Sequence, residues 1–217
     1  WGRRRVSAGG RGGRSASGES GPAGGGGVAC PGCDAAVVKQ TGGDCGAVCG
    51  RSYPVMDGIP IFLLDSPAAQ DDEIGHMHSG HRDHKSAHKA AQARHFDAEM
   101  SVEFEITRPH GTARLYRFLL AEKFRRATAP MRAELKGAAA LTVCGGSGMD
   151  AEFLARAGAR VISSDISLGA AQRSRERARR RGLDFTSIVA DVEALPFADA
   201  SVDLVIVHDG IPPLERP

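Results

Sequence analysis

The sequence predicts an α/β protein. Its main body is a doubly wound parallel sheet of about four strands, preceded by a small cysteine-bearing unit and a disordered N-terminal tail. Three observations carry this. From Ala138 onward, short apolar runs alternate with helical stretches, the pattern of parallel strands joined by crossover helices. The first run ends in a glycine loop, Val143-Cys-Gly-Gly-Ser-Gly-Met-Asp150, that leads directly into a helix. Four of the five cysteines fall between positions 30 and 49, ahead of that sheet.

Taken in order, residues 1–29 are Gly, Arg and Ser with almost nothing apolar, so burial cannot offset the entropy of ordering them. The GGRGGR piece occurs once and is read as solvated chain rather than an RNA-binding arm. Residues 30–64 form a compact unit closed by the apolar strand YPVMDGIPIFLL. Its cysteines are spaced Cys30-x2-Cys33 and Cys45-x3-Cys49 on turns rich in Pro and Gly, which places four sulfurs where a tetrahedral Zn2+ can collect them. A structural zinc would supply stability that so short a segment lacks, and is preferred over free thiols or a redox pair. Residues 65–100 are a polar linker with His76, His78, His81, His84 and His88, read as solvated rather than metal-binding. The linker ends in the helix KAAQARHFDAEM, where Phe96 beside His95 suggests packing.

Residues 101–217 make the main domain. In RLYRFLLAEKFRR, Leu115, Phe118, Leu119 and Phe124 read as the packed stripe of a helix. AALTVC, RVISSD, FTSIVA and VDLVIV are strands, and DAEFLARAG and LGAAQRSRERARRRG are helices. The second helix carries Arg173, Arg175, Arg177, Arg179, Arg180 and Arg181, read as a solvated basic face. No aromatics interleave with them, so nucleic acid is not the expected partner. A net charge of +2 adds no global attraction for nucleic acid or membrane. No apolar run reaches the roughly 18 residues of a membrane span, and the Arg-rich start lacks the apolar core of a signal peptide. A soluble, cytoplasmic protein is expected.

A strand running into Gly145-Gly146-Ser147-Gly148 and then a helix lets backbone approach a ligand closely, with free N–H groups at the helix start. Asp165, ending the second strand, can accept both hydroxyls of an adenosine ribose. NAD and S-adenosylmethionine would use these two features alike. The third segment separates them: in IVADVEALPFADASVDLVIVHDG, Asp191 ends a strand and is followed by LPF, an acidic turn and another strand.

Across residues 138–211 this arrangement resembles the class I S-adenosylmethionine-dependent methyltransferases, in particular those with a D-x-E-x-LPF-x-D-x-S-x-D signature. CPGC followed by CGRSYPVMDGIPIFL is similar to the zinc ribbon that heads many bacterial members. The resemblance implies a Rossmann-like sheet ordered 3-2-1-4. S-adenosyl-L-methionine would lie on Gly145, Gly146, Ser147 and Gly148, with Asp165 and Ile166 at the ribose, Asp191 and Val192 at the adenine, and His208 nearby. Methyl transfer is an in-line displacement that depends mostly on positioning. If a base is used, His208 and Asp209 after the fourth strand are the candidates. The expected acceptor is a small molecule; an RNA acceptor is less favoured.

The chain departs from the family at Thr142, where an acid is usual, and at Cys144, where a glycine is usual. Asp150 is near enough to compensate but reads equally as a first-turn acid favourable to the helix dipole. Cys144 reads as a small buried residue. With four strands where the family has seven, the stretch VDLVIV should be an exposed edge, and poor turnover by this chain alone is expected. Two rivals stand beside this reading. An NAD(P)-dependent short-chain reductase would need a Tyr-x-x-x-Lys pair after the loop, whereas Tyr53 and Tyr116 are the only tyrosines and both precede it. The other rival is a non-catalytic zinc-ribbon module with a degenerate Rossmann-like remnant.

Overall fold

The structure, a computed structural model, describes residues 28–39, 45–47, 49–64, 82–98, 102–131 and 134–208; the side chains of Lys39, Cys45, Ala47, residues 82–88, Ala98 and Met131 lie outside that description. The predicted tail up to position 27, His76, His78, His81 and Asp209 also fall outside it.

The main sheet follows the predicted elements closely. β6 (Ala139–Val143), α4 (Met149–Arg156), β7 (Arg160–Asp165), α5 (Leu168–Arg181), β8 (Phe185–Ala190) and β9 (Leu204–Val207) alternate as expected. The order β8-β7-β6-β9 is parallel throughout, the Rossmann-like arrangement. The local signals are physical. The Ser167 hydroxyl caps α5 by accepting from the Ala170 N–H, and Gly182 ends the helix at φ 60°. The Asp203 carboxylate accepts from the Ala139 N–H at 2.8 Å and sets where β9 joins β6.

Two further strands extend the sheet. The segment read as one closing strand is a β3 (Ser52–Tyr53), β4 (Val55–Met56) and β5 (Ile59–Phe62) succession, broken by a tight turn at Asp57-Gly58 with φ 50° and 74°. β5 pairs in parallel with β8, Ile61 opposite Val189 and Phe62 opposite Ala190, giving six strands in all. The cysteine-bearing segment forms a separate three-stranded antiparallel sheet of β1 (Val37–Lys39), β2 (Cys45–Ala47) and β3, whose Tyr53 packs with Phe62 and Ile188 of the main sheet. Alternation along β7 and β8 divides the core between two faces. Val161 and Phe185 pack under α4 and α5, whereas Ile162, Ile188 and Ala190 meet Cys30, Tyr53, Phe62, Leu195 and Phe197. Val28 and Ala29, expected at the end of the disordered tail, are paired instead: Val28 bridges Phe197, and the Ala29 N–H donates to the Pro196 carbonyl at 3.0 Å. The LPF segment thus anchors the start of the cysteine unit.

Among the described residues, three α-helices lie between β5 and β6: α1 (Arg82–Ala98), α2 (Val102–Thr107) and α3 (Arg114–Thr128). α1 begins seven residues before the predicted helix and so takes in only the last part of the expected linker. The apolar stripe of α3 does not pack as expected. Leu115, Phe118 and Leu119 are 68%, 62% and 53% exposed, whereas Phe124 stacks on Phe153 with ring centroids 4.9 Å apart. At about 100° per residue, Leu120, Phe124 and Thr128 share the inward face and positions 115, 118 and 119 turn away, so the sequence reading merged two faces. Phe96 likewise stays 44% exposed, its ring meeting His95 edge-on. The expected exposed edge is seen at β9, where Val205 and Val207 are 50% and 39% exposed. No helix among the described residues is long and apolar enough to cross a membrane.

Candidate functional site

Parallel register brings the predicted site residues to one edge of the sheet. Val143 lies opposite both Ser164 and Val207, and Asp165 lies opposite Val189. The glycine loop, Asp165, Asp191 and His208 therefore all emerge from the carboxyl ends of neighbouring strands, where open α/β sheets bind ligands. Ile166 and Val192 follow their acids directly, each half-buried.

The loop's glycines have different reasons. A Cβ at Gly148, which caps α4 at φ 77°, would lie 2.4 Å from the Ser174 hydroxyl of α5, so this glycine permits close helix packing. A Cβ at Gly145 would meet the Ser163 hydroxyl at 2.5 Å. At Gly146, with φ 52°, nothing lies within 4 Å of a Cβ. That glycine faces open space, and a ligand can approach its backbone. Where the family usually has an acid, the buried Thr142 hydroxyl instead bonds Ser163 across the strands at 3.1 Å. Cys144 takes a left-handed φ of 53° and is half-buried rather than buried. Burial, then the negative charges of Asp165 and Asp191, push its thiol up to about 11, so it is a poor nucleophile.

Asp165 ties two turns together, accepting from the Gly146 N–H at 2.9 Å and the Ser167 N–H at 3.0 Å. Burial raises its carboxyl above the usual range despite those donors and the charge of Arg173. Asp191 accepts from the Glu193 N–H at 3.0 Å and is paired with Lys89 of α1 at 2.5 Å; Lys89 also bonds Glu193. Farther along α1, Asp97 accepts from the Ser167 hydroxyl at 2.5 Å and the Gly169 N–H at 2.8 Å. α1 therefore straps the two strand ends that Asp165 and Asp191 occupy. His208 lies between two partners: Nδ1 is 3.1 Å from both Asp150 oxygens, and Nε2 is 2.6 Å from Lys123 Nζ.

Arg173 and Arg177 correct the reading of α5 as a solvated basic face: they are 6% and 0% exposed. Arg177 donates to the Ser147 carbonyl at 2.7 Å, to Glu152 at 3.0 Å, and to the carbonyls of Glu105 and Arg108. Glu152, also bonded to His110 at 2.8 Å and Arg156 at 2.9 Å, is 1% exposed. Its burial alone would raise its carboxyl, but Arg177, His110 and Arg156 together hold it below the usual range. Glu105 accepts from the Ser147 hydroxyl at 3.1 Å. The loop is thus fixed from behind by a buried ion network. The signal was present in the sequence: Ala170, Ala171, Ser174 and Ala178 mark the small, buried face of α5, and positions 173 and 177 lie on it. Lys89 and Asp97 carried no comparable signal, because they act across a tertiary contact.

Beneath the other face, the sulfurs of Cys30, Cys33 and Cys49 all lie within 4.8 Å of one another. Cys30 and Cys49 are 3.6 Å apart, and Tyr53 Oη is 2.9 Å from the Cys30 sulfur. Burial would raise the Cys30 thiol, but hydrogen bonds from Tyr53, the Gly32 backbone and the neighbouring cysteines bring it down to about 6.

Residues 140–216 match the family described as a methyltransferase domain. An uncharacterized protein of Mycobacterium tuberculosis is 41% identical over 75 residues, which is 35% of this chain and 27% of that protein. The demethylmenaquinone methyltransferase of Thermobifida fusca is 35% identical over 91 residues, 41% of this chain and 38% of that enzyme. The chain thus spans well under half the length of these relatives. The magnesium protoporphyrin IX methyltransferase of Synechocystis PCC 6803, solved with bound SAH, overlaps 56% of this chain and 58% of that one at 22% identity and TM-score 0.46. The matched region includes the glycine loop, Asp165, Asp191 and His208.

Proposed function

We propose that the chain binds S-adenosyl-L-methionine and transfers its methyl group to a small-molecule acceptor. The observation that carries this reading is the convergence of an open glycine loop at Gly146 with Asp165 and Asp191 on one sheet edge, inside the segment that matches the methyltransferase domain. The loop residues Gly145, Gly146, Ser147 and Gly148 would hold the methionine part, Asp165 with Ile166 the ribose, and Asp191 with Val192 the adenine. The bound sulfonium supplies an activated methyl group; the chain's contribution is orientation and exclusion of water. A small acceptor is supported over RNA by the arginines of α5, of which Arg173 and Arg177 point inward and Arg179 and Arg180 pair with Glu176. Titration calorimetry should show S-adenosylhomocysteine binding and no heat from NADH under the same conditions. Tighter NADH binding would return the reductase reading.

The cysteine cluster supports a structural Zn2+ on Cys30, Cys33 and Cys49, with Cys45 of β2 as the fourth ligand. At a Zn–S length of ~2.3 Å, tetrahedral sulfurs sit about 3.8 Å apart, close to the 3.6 Å between Cys30 and Cys49. One equivalent of zinc should copurify with the chain, and chelation should lower the melting temperature by several degrees, since bound metal adds to folding stability. A metal-free chain with an unchanged melt would remove zinc from the account.

A further inference from the structure

From the contacts of His208, and resting on the methyltransferase reading above, we propose that the acceptor is an acidic hydroxyl, a phenol or enol, deprotonated by His208 and held as its oxyanion by Lys123. The tautomer follows from the partners. Asp150 offers only acceptor oxygens to Nδ1, so that nitrogen carries the proton; Lys123 offers only N–H donors to Nε2, so that nitrogen carries the lone pair. The basic nitrogen of His208 and a cation 2.6 Å from it thus converge at the strand end beside the glycine loop. Asp150 sits in the first turn of α4, directly after that loop, and its side chain is 13% exposed. It is the fixed part of the dyad. Lys123 comes from the exposed surface of α3, where substrate can reach it.

An O–H placed between Lys123 and His208 loses its proton to Nε2, and the resulting imidazolium is stabilised by Asp150 while the oxyanion stays against the ammonium. The oxygen retains the electron pair and uses it to attack the sulfonium methyl carbon. One O–C bond forms, one S–C bond breaks, sulfur leaves as a neutral thioether, and the imidazolium later releases its proton to solvent. An amine acceptor is disfavoured at this position, because its protonated form is repelled by Lys123 and its neutral form gives no anion for the ammonium to hold.

The test uses the 217-residue chain and two probes of equal shape, 4-nitrophenol and 4-nitroaniline, with S-adenosylhomocysteine present. Below its solution pKa, 4-nitrophenol should bind with the yellow absorbance of the phenolate, and 4-nitroaniline should bind at least tenfold more weakly. Lys123→Met, a change on an exposed helix position, should weaken phenol binding by about tenfold and abolish the yellow signal, in line with the loss of one charge-assisted hydrogen bond. His208→Gln, checked for an unchanged melt, should abolish the colour below the probe's pKa. Equal binding of the two probes, binding only as the neutral phenol, no probe binding, or an unaffected Lys123→Met variant would each overturn the assignment. Calorimetry with S-adenosylhomocysteine alone separates the two levels: absence of that heat overturns the methyltransferase reading, whereas its presence without the phenolate signal overturns only the acceptor class.

Discussion

Arg177→Met should destabilise the chain by about 3–5 kcal/mol, the usual cost of stranding one half of a buried ion pair. The guanidinium is fully buried and serves Glu152 and the carbonyls of Ser147, Glu105 and Arg108 at once. Methionine fills comparable space and supplies none of these donors, so three carbonyls, one on the loop and two at α2, lose this partner together. Arg177→Lys should recover little, because a single ammonium cannot reach the directions that a planar fork spans. Arg179, 72% exposed and paired with neighbouring Glu176, is the control from the same helix; its methionine variant should leave the urea midpoint unchanged. A midpoint for Arg177→Met that converts to less than 1 kcal/mol would mean that the network is not structural.

The acid limb of stability should change with it. Glu152 titrates below its ordinary range in the folded chain, so it contributes stability above the unfolded carboxyl's pKa, and that contribution is lost as pH falls through the folded value. Without Arg177 the folded value rises toward the ordinary one. Acid unfolding of the variant should therefore begin at higher pH than in the parent.

The parts of the fold legible in the sequence were those written locally. Strands β6, β7, β8 and β9 announced themselves as short apolar runs, and Ser167 and Gly182 bracketed α5 with cap chemistry. The acids at positions 165 and 191 were visible because each follows a strand directly. The misreadings share one cause, which is that helix periodicity shows a pattern without its direction. On α3 the conspicuous residues 115, 118 and 119 face outward, and on α5 the arginines at 173 and 177 face inward, because each helix is oriented by what it meets: Phe153 for α3, the loop and α2 for α5. A buried arginine looks like a solvated one until its partners, 25 to 72 positions away, are brought to it. The β5–β8 pairing and the strap by α1 are of the same kind, since both depend on contacts between distant segments.

Asp165→Ala should weaken S-adenosylhomocysteine binding by at least ~100-fold. Two ribose hydroxyls donating to a carboxylate are charge-assisted hydrogen bonds, each contributing roughly 1.5–3 kcal/mol. The carboxylate has the capacity, since the Gly146 and Ser167 N–H groups occupy only part of its four acceptor directions. Loss of binding would not be mistaken for loss of fold. Burial already disfavours the charged form of Asp165, so its removal sacrifices two backbone contacts but relieves a desolvated charge. The melt should shift far less than for Arg177→Met. Lys89→Met supplies the opposite sign in the same calorimetric series. Lys89 occupies Asp191 at 2.5 Å across side chains 30% and 19% exposed, and an adenine amino group must compete with it for that carboxylate. A partly exposed pair contributes about 1 kcal/mol or less, so freeing Asp191 should tighten binding by no more than about fivefold, and added salt should give the parent chain part of that gain. Binding that falls with Lys89→Met would place the lysine on the ligand's side of the strap. Binding that survives Asp165→Ala would move the ribose away from β7 and, with it, the orientation of the whole cofactor along the sheet edge.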